Sequence, residues 1–377
     1  MAGCSAVNDN SGDLLTGAEQ TGEWMPRVKD QRVGLLVNHT SMVDETHLVD
    51  KMLNEGVNIV RIFAPEHGFR GQADAGEHVE DNVDEETGLP VVSIYGDNRK
   101  PSAEQLEGLD VVIFDVQDVG VRFYTYISSM HYMMEACAEN DVDFMVLDRP
   151  NPNGEYFDGP VLEPEYSSFV GMHPIPVVHG LTVGELARMI NGEGWLKDSV
   201  RCNLDVIEMK NYTHSTPYSL PVKPSPNLPN DLSVRIYPSL CLFEATIMSV
   251  GRGTEFPFQV VGAPDSVYGD FTFTPRSIEG MAKNPKYKGQ KCYGKDYRGL
   301  DPRKQEFSLK PFFHFYEKSG RDSSFVSRRR WFRLLTGTDE MLQQIENGFS
   351  AEEIRKSWSE ELADYAKLRE KYLIYPE

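Results

Sequence analysis

The chain has 377 residues, 58 acidic against 38 basic side chains, a formal charge of −20, 40% hydrophobic and 25% charged residues. That length exceeds the roughly 250 to 300 residues at which one core stops growing, so two domains of an ordinary folded protein are expected. The acidic surplus disfavours a nucleic-acid partner, which would draw on lysine and arginine, and no apolar stretch approaches the roughly 20 residues that cross a bilayer.

At the N-terminus, Met1-Ala2-Gly3-Cys4-Ser5 looks like the end of a bacterial lipoprotein signal, with small residues before a cysteine that becomes lipidated. On this reading the earlier part of the signal has been trimmed, residues 1–24 form a flexible tether, and Cys4 anchors the protein to a membrane. The expected location is the cell envelope or periplasm, with secretion as the alternative. The other cysteines, at 137, 202, 241 and 292, show neither a Cys-x-x-Cys pair nor zinc spacing, and Cys137 reads as a small core residue.

From Arg32 onward short apolar runs alternate with helical patterns. Strands are predicted at Val33–Val37, Ile59–Ala64, Val91–Tyr95, Val111–Val116 and Phe144–Leu147, and helices at Met42–Glu55 and Tyr124–Asn140. Runs such as Asp110-Val111-Val112-Ile113-Phe114-Asp115 are apolar without alternation, as strands covered on both faces require. The fold class is therefore α/β, a Rossmann-like doubly wound, mostly parallel sheet over residues 25–180, followed by a smaller α+β domain over 181–377 that completes a cleft. Residues 151–181 read as a long connector, and Thr182 with Glu185 forms a capping box for the next helix. A further strand is predicted at Val206–Met209. Five prolines between Pro217 and Pro229 enforce an irregular path, and helices are expected at 339–347 and 351–372.

Polar clusters fall at the predicted strand ends: Asn38, His39 and Thr40; Glu66, His67 and Arg70; Asp115, Gln117, Asp118 and Arg122; Asp148, Arg149, Asn151 and Asn153. In a parallel sheet those ends share one edge, so the clusters should converge on one cleft. Each alone could equally be a loop cap or a local ion pair. Glu66 and His67 stand out because Gly68 and Gly71 soften their loop, while Phe63 and Phe69 offer an apolar wall that would suit a proton-donating carboxyl. The competing reading is a loop-bracing salt bridge from Glu66 to Arg70. Around Phe114–Tyr126, carboxylates, an amide and tyrosines suit sugar hydroxyls and ring faces, with Tyr124 and Tyr126 equally placed to pack a domain seam. Arg149, in the rigid Asp148-Arg149-Pro150-Asn151-Pro152 turn, suits a substrate carboxylate. Glycine-rich nucleotide loops and a Gly-x-Ser-x-Gly elbow are missing, so no cofactor is expected. His39, His67 and His179 with Asp115 lack metal-site spacing, and no metal is assigned.

Asn38-His39-Thr40, Pro65-Glu66-His67-Gly68-Phe69-Arg70-Gly71, the run from Phe114 to Tyr126, Asp148-Arg149-Pro150-Asn151-Pro152 and His179-Gly180-Leu181-Thr182 together resemble the YbbC-like family, the NamZ exo-β-N-acetylmuramidases. The resemblance runs from about Arg32 to the C-terminus. It implies a Rossmann-like domain, a smaller second domain, and release of N-acetylmuramic acid from the non-reducing end of peptidoglycan fragments. Glu66 is then the catalytic carboxylate, as general acid or acid/base, with His67 beside it. Glycosidases usually need a second carboxylate, for which Asp115 and Asp118 are the candidates; a tyrosine or the substrate's own acetamido group are alternatives. Arg70, Arg122 or Arg149 would bind the lactyl carboxylate, and Pro226-Asn227-Leu228-Pro229 and Gly251-Arg252-Gly253-Thr254 would reach the cleft from the second domain, through Asn227 and Arg252. Two other readings stand beside this one: a non-catalytic lipoprotein that binds peptidoglycan fragments, and a metal-dependent hydrolase.

Overall fold

The computed structural model describes residues 12–66, 68–70 and 81–377. In chain order it gives α1 (Thr21–Val28), β1 (Arg32–Val37), β2 (Met42–Val43), β3 (Thr46–His47), α2 (Leu48–Asn54), β4 (Asn58–Ala64), β5 (Asn82–Val83) and β6 (Pro90–Ser93). These are followed by α3 (Ala103–Leu106), β7 (Val111–Asp115), α4 (Tyr126–Glu139), β8 (Asp143–Leu147), α5 (Val183–Glu193) and β9 (Leu204–Ile207). The second part holds α6 (Asp231–Leu240), β10 (Val260–Ala263), β11 (Phe271–Phe273), β12 (Cys292–Asp296) and α7 (Lys310–Lys318). It closes with α8 (Arg329–Thr336), α9 (Glu340–Glu346), α10 (Ala351–Ser357) and α11 (Ser359–Glu370).

Seven strands form one sheet in the order β5-β6-β4-β1-β7-β8-β9, parallel throughout except for the edge strand β5. The order turns at β1, which pairs with β4 on one side and β7 on the other, with Leu36 opposite both Phe63 and Phe114. Neighbouring residues of each strand face opposite layers. Leu35 and Val37 join a core with Trp24 and Leu48, whereas Leu36 joins Met130 and Met133 of α4. This two-sided burial is why the central strands read as unbroken apolar runs. The second part carries a small antiparallel sheet, β10-β12-β11. The α4 core continues without a break into Phe243, Phe312 and Phe332, and an apolar seam of this kind holds the two parts as one body.

Three expectations need correction. The helix predicted from Met42 begins only at Leu48, because Asp44 adopts a left-handed φ of 54° and turns the chain into the β2–β3 hairpin. The tether predicted for residues 1–24 does not hold from Gly12 onward: Ala18 and Trp24 are fully buried, and Leu15 bridges to Lys210. Cys4 lies outside the described residues. Finally, the first sheet continues past residue 180, since α5 packs on β8 and β9 and β9 is the seventh strand. The predicted capping box is present, with Thr182 Oγ1 accepting from Glu185 N at 3.2 Å and Glu185 Oε2 accepting from Thr182 N at 2.9 Å.

Candidate active site

Ligands of open α/β sheets usually bind where the strand order reverses, here between β1 and β7. In this chain that crevice is filled by its own polar groups. Thr40 Oγ1 donates to Asn38 Oδ1 at 2.6 Å and accepts from Gln117 N at 3.0 Å, Ser41 Oγ donates to the Asp115 carbonyl, and Gln117 Nε2 donates to the Asp118 and Pro150 carbonyls, both at 2.8 Å. The open cleft, about 1020 Å³, lies instead over the ends of β4 and β6, between the first sheet and the second part.

Glu66 stands at this cleft, two residues after β4, in a turn closed by Gly68 N donating to Pro65 O at 3.0 Å; Gly68 has φ 74°, a conformation costly for other residues. Two hydroxyls hold its carboxylate. Tyr95, just beyond β6, donates to Oε1 at 3.0 Å, and Thr125 donates to Oε2 at 3.1 Å. Thr125 is the N-cap residue of α4, yet its side chain makes no cap bond to that helix. Its hydroxyl turns to Glu66 instead, which forgoes about 1 kcal/mol of capping and sets the carboxylate at the positive end of a 14-residue helix. Burial, then the nearby Glu66 charge, push the Tyr95 phenol well above its ordinary range, so Tyr95 stays a hydrogen-bond donor. His67, predicted to act beside Glu66, lies outside the described residues.

Beyond Glu66 the cleft narrows into a recess of about 70 Å³ lined by Thr125, Asn227, Tyr237, Arg252 and Phe258 among others. Asn227 and Arg252, the two residues expected from the second part, are both there. Asn227 is 2% exposed and donates through Nδ2 to Met281 O at 2.9 Å, while its Oδ1 has no partner among the described residues. Glu244, from the turn after α6, accepts from Arg252 Nε at 2.7 Å. The outer cleft adds Arg99, Lys286, Arg328 and Trp331. This cationic lining contrasts with the charge of −20 on the chain.

Most other predicted site residues are spent on the protein itself. Asp115, fully buried, pairs with Arg149 through Nε at 2.5 Å and Nη2 at 2.9 Å, and Arg149 also donates to Met42 O at 2.9 Å. Burial works against the Arg149 charge, but its neighbours, Asp115 foremost, outweigh burial together. Neither residue lines the cleft, so the second-carboxylate and substrate-binding roles expected of them are not supported. Arg70 pairs with Asp84 at 3.0 Å and Glu86 at 2.8 Å and lies over the Phe69 ring, which also overturns a brace to Glu66. Arg122, fully buried, donates to the carbonyls of Pro160, Ile175, Leu335 and Thr336 at 2.6 to 3.0 Å and ties the connector to α8. Burial lowers its pKa to about 9.

Asp148 accepts from Thr182, Tyr375, Gly184 and Arg149, and burial raises its carboxyl to about 6 despite those donors. Asn151 joins Leu181 O to Asn153 N. Asp118 accepts from Gly120 N at 2.7 Å and has His179 Nε2 at 3.8 Å, while His179 Nδ1 accepts from Leu181 N. Tyr124 donates to Pro224 O at 2.7 Å, with Tyr126 edge-on at 4.9 Å. Tyr124 lines the recess, but its hydroxyl packs the domain seam. His39 turns to Lys223 O, and among the described residues no group of three His, Cys, Asp or Glu is placed to hold a metal ion. Sequence reasoning missed Tyr95, Thr125 and Glu244. Tyr95 ends a predicted strand and could have been found by the rule that singled out Glu66; Glu244 carries no such signal.

Two family models cover nearly all of the chain: "Exo-beta-N-acetylmuramidase NamZ, N-terminal" matches residues 33–232, and its C-terminal counterpart matches 235–375. The junction falls at the start of α6. A curated relative, the peptidoglycan β-N-acetylmuramidase NamZ of Bacillus subtilis (strain 168), is 39% identical over 375 residues, covering 94% of this chain and 89% of the relative. Two solved structures of DUF1343 family proteins from Bacteroides fragilis NCTC 9343 are also similar. One has 45% identity and a TM-score of 0.90 over 97% of this chain and all of the other, and the second has 32% identity and a TM-score of 0.83 over 96% and 99%.

Proposed function

The chain belongs to the exo-β-N-acetylmuramidase NamZ family, and from that premise we propose that its cleft cleaves the glycosidic bond after a terminal N-acetylmuramic acid of peptidoglycan fragments, with Glu66 as general acid or acid/base. The protein is a glycoside hydrolase. The observation that carries the assignment to Glu66 is its position: a carboxylate at a strand end, lining both the open cleft and the small recess beside it, with both oxygens held by side-chain hydroxyls. The space falls from about 1020 Å³ in the outer cleft to about 70 Å³ beyond the carboxylate, which leaves little room for a saccharide chain to continue past it and suits exo action. Tyr95 and Thr125 fix the carboxyl where the glycosidic oxygen would lie, so that it can protonate the departing sugar and then take a proton from water. Among the described residues Glu244 is the other carboxylate lining the cleft, and it takes over from Asp115 and Asp118 as candidate for the second acidic group.

Incubation with the disaccharide that has N-acetylmuramic acid at its non-reducing end should release that monosaccharide. With longer fragments it should be the first sugar product. Tight binding of the disaccharide without release would favour a non-catalytic binding protein, and activity lost to chelators and restored by a divalent ion would favour a metal-dependent hydrolase.

An envelope location with a lipid anchor at Cys4 is also proposed. It is supported by the Met1–Ser5 pattern and by a substrate found in the cell wall. Expressed in a bacterium with the charged and apolar segments of a lipoprotein signal placed ahead of Met1, the chain should partition into the detergent phase, and Cys4→Ser should move it to the aqueous phase. Equal partition of both would reject the anchor.

A further inference from the structure

Resting on that reading, we propose that Arg252 is the specificity-determining residue of the site: it pairs with a carboxylate on the terminal sugar, the lactyl group that distinguishes N-acetylmuramic acid from N-acetylglucosamine. Among the described residues Arg252 is the one cation that lines the inner recess with Glu66. The three arginines that the sequence offered for this task are committed elsewhere: Arg70 to Asp84 and Glu86, Arg122 to four carbonyls, Arg149 to Asp115.

The setting of Arg252 is that of an oriented guanidinium. Glu244 takes Nε at 2.7 Å, and the ring of Phe258 lies 5.0 Å from the guanidinium carbon. Burial disfavours the charge, but its neighbours, Glu244 foremost, outweigh burial together, so the group remains a cation. With Nε engaged, Nη1 and Nη2 make no hydrogen bond to protein among the described residues, and the side chain is 28% exposed. Two terminal N–H groups on a fixed plane match the two oxygens of a carboxylate. The glycines on either side, Gly251 at φ 77° and Gly253 at φ 81°, allow the turn that brings the arginine to the recess. Asn227 Oδ1, buried and without a partner among the described residues, belongs to a residue lining the same recess and offers an acceptor for a sugar hydroxyl or an amide N–H of the same ligand. A chain charge of −20 repels anions at long range, so a carboxylate substrate needs such a local cation.

The test compares kcat/KM for 4-nitrophenyl N-acetyl-β-muramide and for its lactyl amide, which has nearly the same size without the charge. The ratio is independent of the fraction of correctly folded enzyme. A hydrogen bond to a charged group contributes about 1.5 to 3 kcal/mol, so the unchanged enzyme should favour the acid by about tenfold to a hundredfold. Arg252→Gln should bring the ratio to within about threefold of one, and Arg252→Lys should retain part of the preference. A ratio unchanged in Arg252→Gln would assign the carboxylate to another cation, such as Lys286 or Arg328, and overturn the inference, as would an unchanged enzyme that does not distinguish the two substrates. A calorimetric comparison of N-acetylmuramic acid with N-acetylglucosamine, on Glu66→Gln with and without Arg252→Gln, separates this inference from the glycosidase reading. Preference for the acid that disappears with Arg252 supports the inference even if no glycoside is hydrolysed, and preference that persists rejects it.

Discussion

Glu66→Gln is expected to lower kcat/KM for release of N-acetylmuramic acid by about 10²- to 10⁴-fold, the usual contribution of a positioned acid or base. The substitution keeps the shape of the side chain. Tyr95 can still donate to the amide oxygen, and the Thr125 hydroxyl can rotate to accept from the amide nitrogen, so neither contact at 3.0 and 3.1 Å need be lost. What disappears is the titratable proton, together with an anion at the N-terminus of α4, worth about 0.3 to 1 kcal/mol. Thermal unfolding should therefore stay close to that of the unchanged protein. Turnover within tenfold of the original would remove Glu66 from the mechanism. Tyr95→Phe serves as the companion: it leaves the acid in place and removes one donor, so a loss of about tenfold to a hundredfold in kcat is expected, with little change in folding.

For Asp115→Asn the expectation is the reverse, a loss of stability of about 3 to 5 kcal/mol, because it leaves the buried Arg149 guanidinium without its counter-ion. Circular dichroism during heating or urea titration measures this directly. Removing both charges as Asp115→Leu with Arg149→Met should recover most of the loss, since a buried ion pair replaced by apolar side chains of similar volume is often close to neutral. The carbonyl of Met42, which accepts from Arg149 at 2.9 Å, would lose its donor, so recovery should be incomplete. An Asp115→Asn protein that keeps its thermal midpoint but loses catalysis would return Asp115 to the reaction and contradict its role as the counter-ion of Arg149.

These outcomes contrast two carboxylates that look alike in the sequence. Asp115 ends β7 and Glu66 follows β4 by two residues, and each is followed by a polar, glycine-containing loop. The difference lies in partners that sequence does not reveal. Arg149 reaches Asp115 from 34 positions away, whereas the hydroxyls on Glu66 come from 29 and 59 positions away. Arg122 shows the same effect more strongly, with Leu335 and Thr336 at 213 and 214 positions' distance. Its four carbonyl partners use up a side chain that composition alone would assign to an anion.

The strands β1, β7 and β8 were legible because burial on both faces writes an unbroken apolar run into the chain, and β4 and β6 as short apolar-rich stretches, interrupted in β4 by Arg61. The capping box at Thr182 was legible because a cap is a contact within three residues. Strand ends of a parallel sheet share an edge, so the sequence also determined which loops would meet there. Which of those loops would leave an opening was decided by the tertiary structure alone. At the β1–β7 reversal Thr40 bridges Asn38 and Gln117, Asp115 pairs with Arg149, and these contacts fill the crevice, while at the ends of β4 and β6 the second part of the chain stands off and leaves Glu66 a cleft. The physical reason is that a polar group removed from water must find a partner, and the identity of that partner depends on distances in space that no local pattern of residues contains.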